Sequence, residues 1–275
     1  MAKLGLAIAP EQASPLAFVV YRDRLDISMQ KAARLGYDGV ELALLDPSEV
    51  DVGEIKALSS RYGLEIAAIS TGRVFSEGKL WCTHPDPTVR RRAVERIKGL
   101  VRLAASLGGR VNLGRVRGFV AEGEAREAAE ERFLSCLGEC ADFAAPLGVD
   151  LLLEPVNRYE TNYINSVPDA LELLRKIGRP NVKVMADVFH MNIEDVSIAG
   201  SLRQAGAAIG YVHLADSNRW APGRGHLDFA DILATLHAVG YDGGVTVEIL
   251  PYPNPDAAAA EATAYPRGML TATVR

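Results

Sequence analysis

The chain is poor in cysteine, in histidine and in long apolar runs, and each shortage narrows what it can be. Its three cysteines, Cys82, Cys136 and Cys140, are an odd count with no CxxC pair. That argues against a thiolate zinc site or a disulfide framework, and for packed thiols in a reduced, cytoplasmic protein. No apolar stretch reaches the roughly 18 residues a membrane span needs. The opening MAKLGLAIAP has one lysine and too short an apolar run for a signal peptide, so it reads as a first strand. A formal net charge of −5 offers no overall attraction for nucleic acid or anionic lipid. The first turn, AIAPEQASP, has no GxGxxG or Walker pattern, and no linker or low-complexity segment divides the chain.

What is present is an alternation. Near-continuously apolar runs occur at 3–8, 39–45, 64–70, 110–116, 149–156, 182–189, 209–215 and 244–250, as expected of parallel strands buried on both faces. Between them lie segments of helical spacing. In one, Val89, Ala93, Ile97, Leu100, Val101 and Ala104 form an apolar stripe among Arg and Glu. Gly36, Gly63, Gly108, Gly148 and Gly240 each follow such a segment, the usual helix stop before re-entry into a sheet, and Asp228 is placed to cap the helix after it. Eight strands alternating with eight helical segments imply a single (β/α)8 TIM barrel over residues 1–275.

In such a barrel the active site lies at the C-terminal ends of the strands. Glu154, Asp187, His213 and Glu248 close or nearly close the last four runs (VDLLLEP, VKVMADVFH, GYVHLAD, VTVEIL) at intervals of about one strand-plus-helix unit. Four metal-capable side chains on four consecutive strands can converge on one cation, and burying these carboxylates together without one would be costly. Carboxylate and imidazole donors suit Mn²⁺, Mg²⁺, Co²⁺ or Zn²⁺.

The strings EPVNRYE (from Glu154), DVFHMNIED (from Asp187), HLADSNRWAPGRGHLDF (from His213) and VEIL around Glu248 resemble the xylose-isomerase-like sugar isomerase/epimerase superfamily, within it most closely the ketose 3-epimerases of the tagatose/psicose type. The resemblance is sharpest from about residue 150 to 250. It implies that Glu154, Asp187, His213 and Glu248 hold one divalent ion, Mn²⁺ being the first expectation. Glu154 and Glu248 would double as the acid/base pair, and His190, Arg219 and Glu160 would bind the substrate. The chemistry agrees: a cation polarises a ketose carbonyl, and two carboxylates on separated strands can serve opposite faces of a planar enediolate. The expected partner is a small sugar, with no nucleic acid and no membrane, in a homodimer or homotetramer.

Other readings stay open at this level. After His213 the chain has Leu-Ala-Asp-Ser, where ketose 3-epimerases usually carry a small residue and Glu. Sugar-phosphate isomerases and dehydratases or lyases of inosose, dehydroshikimate or keto-glycoside type share the same first proton abstraction. Arg115 and Arg117 either contact substrate, toward which their rim position leans, or form salt bridges in a solvated loop. Arg224 is a further candidate for phosphate. The segment after the last strand, PYPNPDAAAA, lacks the glycine and basic residues of a phosphate cup and favours an unphosphorylated substrate. Phe75 and Trp81 read as an apolar wall, and His226 as a structural loop residue. Endonuclease IV-like DNA repair, with its histidine-rich multi-zinc cluster, is a remote alternative for a chain of five histidines.

Overall fold

The computed structural model describes residues 3–15 and 17–272, with 267–272 described through their backbone alone. Nine parallel strands form the sheet: β1 (Leu4–Ala9), β2 (Tyr21–Arg22), β3 (Gly39–Ala43), β4 (Glu65–Ser70), β5 (Val111–Leu113), β6 (Leu151–Leu153), β7 (Val182–Asp187), β8 (Ile209–Leu214) and β9 (Val245–Val247). They pair in sequence order, and β9 returns to β1 through Leu4–Val245 and Leu6–Val247, which closes the sheet into an eight-stranded barrel. The two-residue β2 extends the rim beside the end of β1.

Helices wrap the outside. Pro87–Leu107 starts at an Asp86 cap with proline in its first turn and stops at Gly108, whose φ of 77° a side-chain-bearing residue rarely adopts. The apolar stripe expected there is the buried face. Asp228 caps the helix Phe229–Ala238 by accepting from the Asp231 N–H. The three thiols are unpaired and buried. No helix among the described residues is long and apolar enough to cross a membrane.

Three strands pair over less than half of their apolar runs. The run 110–116 pairs only over Val111–Leu113, after which Arg115–Arg117 form a 3-10 turn. The run 149–156 leaves the ladder before Glu154-Pro155, and 244–250 leaves it before Glu248, three residues ahead of Pro251. Proline cannot donate to a ladder. Val156 and Ile249 stay buried regardless, because apolarity reports burial whereas strand pairing requires hydrogen-bonding backbone.

Alternation along the strands sets the depth of the site. Ala68, Leu152, Met185 and Tyr211 make a buried layer inside the barrel. Two residues further along the same faces stand Glu154, Asp187 and His213, one layer higher at the rim. Asp187 and His213 are direct partners across β7 and β8.

Candidate active site and metal centre

One donor atom from each of Glu154, Asp187, His213 and Glu248 lies within 4.8 Å of every other, and of the groups among the described residues that could hold a metal this is the one found. His213 Nδ1 is 3.5 Å from Glu248 Oε2, 3.7 Å from Asp187 Oδ2 and 3.9 Å from Glu154 Oε1. These separations exceed hydrogen bonds and suit ligands sharing one small ion at about 2.0–2.2 Å from each. His213 Nδ1 is buried without a hydrogen-bond partner, and Asp187 Oδ2 has only an ion pair with Arg219, an arrangement that is costly for Nδ1 unless a cation is meant to lie beside it. The donor set contains no thiolate and fits a divalent ion bound by oxygen and imidazole.

Each donor is held from behind. His213 Nε2 donates to Glu41 Oε2 at 2.8 Å, with both residues fully buried. That bond keeps a ring proton on Nε2, so that Nδ1, which faces the carboxylates, is the nitrogen an ion would take in exchange for a proton. Asn112 Nδ2 donates to Glu154 Oε2 at 3.0 Å. Gly114 lies against the same oxygen, where a Cβ would collide with it. Asp187 Oδ1 accepts from the Phe189 N–H at 2.8 Å.

Arg219 sits in this rim with its guanidinium 3.1 Å from Asp187 Oδ2 and in contact with Glu248, stacked on Phe189 at 4.6 Å and Phe18 at 5.0 Å. Its φ of 61° is a strained value for a residue with a side chain, and it persists because the loop is tied down. Asp216, fully buried, accepts from the backbone N–H groups of Ser217, Gly223 and Leu227 at 2.7, 2.8 and 3.2 Å, and the Arg219 N–H donates to its carbonyl at 2.8 Å. The departure at Leu-Ala-Asp-Ser therefore concerns a loop anchor rather than a substrate contact. His226 is exposed in that loop.

Two N–H groups of Asn157 converge on His190 Nδ1, at 2.8 Å from the side chain and 3.4 Å from the backbone. Nδ1 is then the acceptor, and Nε2–H faces the carboxylates. Burial, with Arg219 adding to it, pushes the His190 pKa down to about 3, so the ring is a neutral donor. Burial and the neighbouring Glu248 charge push Glu154 up to about 8. For Glu248 burial acts in the same direction, but His213 and Arg219 outweigh it and hold the group below its ordinary value. Burial likewise opposes a charge on His213, yet the carboxylates of Glu41, Glu248 and Asp187 hold its pKa well above the usual imidazole range. A bound dication would draw all three carboxylates lower.

Glu154, His190, Arg219 and Glu248 line a cleft of about 530 Å³, open mouth included, together with Phe18, Asn112, Arg115 and Glu160. Glu160 Oε1 accepts from Asn157 Nδ2 at 3.3 Å, and Oε2 is 3.5 Å from Arg115. The two loop arginines part company. Arg115 reaches the cleft, whereas Arg117 is fully buried and donates to the carbonyls of Gly114, Glu154, Tyr163 and Ile164. For Arg117 both expectations, substrate contact and solvated salt bridge, are corrected: the 3-10 turn carries it inward, where it ties the β5 and β6 loops together. Arg224 pairs with Glu261 in solvent, outside the cleft. The wall of the cleft is Phe18; Phe75 and Trp81 pack edge-to-face nearby. Glu41, Asn112, Asn157 and Asp216 were not singled out from sequence. The first two lie inside apolar strand runs, and only a polar residue on an inward-facing register position marks them.

Residues 29–267 match the family described as Xylose isomerase-like TIM barrel. The chain belongs to that family. It is 36% identical to the L-ribulose 3-epimerase of Methylomonas sp. strain DH-1 over 219 residues, 79% of this chain and 75% of that protein. It is 32% identical to the D-psicose 3-epimerase of Ruminiclostridium cellulolyticum over 227 residues, 80% and 76% of the two chains. Among solved structures, D-allulose 3-epimerase from Methylomonas sp. in complex with D-allulose superposes with a TM-score of 0.82 at 28% identity, covering 98% of this chain and 97% of that one. These relatives are ketose 3-epimerases, and this chain's closed eight-stranded barrel carries a buried acidic and histidine cluster.

Proposed function

We propose that the chain epimerises C3 of an unphosphorylated ketose, using a divalent ion, Mn²⁺ first among the candidates, held by Glu154, Asp187, His213 and Glu248. The observation that carries this reading is the convergence of those four donors within 4.8 Å, with two carboxylates at its edges. An ion there supplies electrophilic polarisation of the carbonyl and compensates the enediolate charge.

The chain's own groups account for the proton. Glu154 and Glu248 project from the ends of β6 and β9, with two strands between them, so they reach a planar intermediate from different sides. One removes the C3 proton and the other delivers a proton to the opposite face, which inverts the centre. Asn112 holds the Glu154 carboxylate in place through Oε2. His190, neutral with Nε2–H facing the site, donates to an oxygen at the carbonyl end, and Arg219 orients the same end while balancing Asp187 and Glu248. Glu160 accepts from a substrate hydroxyl.

The loop 248–254 offers neither glycine nor a basic side chain for a phosphate, which supports the free sugar over its ester. The unpaired thiols agree with a cytoplasmic protein. Exposed helices are the surfaces through which a homodimer or homotetramer would form. Incubating the Mn²⁺-loaded protein with fructose, tagatose, psicose and ribulose tests the reading by product chromatography. The expected result is the C3 epimer with the same mass. Loss of water with an ultraviolet-absorbing enone would assign a dehydratase instead, and an aldose product an isomerase.

A further inference from the structure

Arg115 differs from the other arginines around the cleft in one respect: its donors are unspent. Arg73 is consumed by Glu49 and Glu77 and Arg117 by four backbone carbonyls, while Arg219 spends both terminal nitrogens on Asp187 and Glu248 and keeps only a buried Nε unpartnered. The Arg115 guanidinium makes no hydrogen bond among the described residues; its polar contact is the 3.5 Å ion pair with Glu160. That spacing is longer than a charge-assisted hydrogen bond, so it orients the guanidinium without using up its N–H groups. Phe18 and Phe75 lie 5.9 and 5.7 Å from it, within reach of a cation–π attraction that uses up none of its N–H groups. Its side chain is 23% exposed, open enough for a ligand and enclosed enough to be poorly screened.

Its place relative to the reaction is fixed by shared neighbours. Arg219 sits over the same Phe18 ring at 5.0 Å, so one small molecule can touch both guanidinium groups. A polar chain runs from Arg115 through Glu160 and Asn157 to His190. Arg219 and His190 belong to the carbonyl end. In strand order Arg115 follows β5, on the other side of Glu154 from both.

Resting on the epimerase reading above, we propose that Arg115 is a specificity-determining residue and that the preferred substrate is a ketose whose far terminus is a carboxylate. Two parallel N–H groups of one guanidinium match one carboxylate. A phosphate would call for more donors than this end of the cleft leaves unspent.

Fructose, fructose 6-phosphate and fructuronate (the ketohexose with C6 as carboxylate) separate the cases on the Mn²⁺-loaded protein. Both kcat/KM and the dissociation constant from calorimetry are measured, with wild type and with Arg115→Gln. The expected result is a preference for fructuronate over fructose of about tenfold to a hundredfold, the range of one charge-assisted pair. In Arg115→Gln the ratio collapses toward one, through KM more than through kcat. Equal constants for fructose and fructuronate, a preference for the phosphate ester, or a ratio unmoved by Arg115→Gln would each overturn the proposal. Binding preference for the acid without turnover of any ketose would uphold Arg115 and defeat the epimerase reading instead. Turnover without preference does the reverse.

Discussion

The rim above β6–β9 and the rim above β1–β5 are built on opposite principles. The first crowds Glu154, Asp187, His213 and Glu248 into one pocket and leaves two of their atoms without hydrogen-bond partners. The second contributes Phe18, Gly72, Asn112 and Arg115 to the same cleft; it pairs Arg73 with Glu49 and Glu77, ties Arg117 to backbone carbonyls, and leaves Glu41 Oε1 and Asn112 Oδ1 without partners behind the donors they support. Unsatisfied polar atoms in a well-packed barrel are a cost that needs a cation or a substrate to offset it. On the proposed reading, one half of the rim carries the chemistry and the other, through Arg115, selects who receives it.

The comparison breaks first at the acid/base pair. Glu154→Gln and Glu248→Gln should each lower kcat by about 10²–10⁴-fold, with a native circular-dichroism spectrum. Full activity in either variant would remove the two-base assignment. Next comes the support behind the cluster. Because Glu41 fixes the tautomer of His213, Glu41→Gln should weaken Mn²⁺ binding by about 10–100-fold, read by chelator competition; an unchanged affinity would reduce Glu41 to a buried packing group. Asp216→Ala should release the strained loop and misplace Arg219, lowering kcat/KM by up to about a hundredfold, while Mn²⁺ affinity changes much less. The smallest effect belongs to Arg224→Ala. Its exposed pair with Glu261 lies away from the cleft, so melting temperature and kcat/KM should stay within error, and a selective loss on phosphate esters would reopen the sugar-phosphate reading.

Much of the chemical half was legible in the sequence, because a barrel turns the end of an apolar run into a place at the active-site rim. Glu154, Asp187, His213 and Glu248 needed only that rule to be brought together. Arg219 and His190 were legible through their strings, and the structure adds what the strings do not carry: a positive φ at Arg219 and a tautomer at His190 fixed by Asn157. The supports were harder to see. Glu41 reads as one polar residue in GVELALL until β3 is known to face His213 from across the barrel, and that closure is a long-range fact. Arg115 and Arg117 are two residues apart and looked alike, yet a 3-10 turn sends one to the cleft and buries the other. Turn geometry of that kind depends on Gly114 and on carbonyls from a neighbouring loop, neither of which local pattern specifies.

The most direct test of the central claim is solvent exchange at the substrate carbon. The Mn²⁺-loaded protein is incubated with a ketose in D₂O and the products are read by NMR. Deuterium at C3, in both epimers and without loss of water, is the predicted result. Deuterium at C1, or none at any carbon while the epimer accumulates, would contradict proton transfer by Glu154 and Glu248.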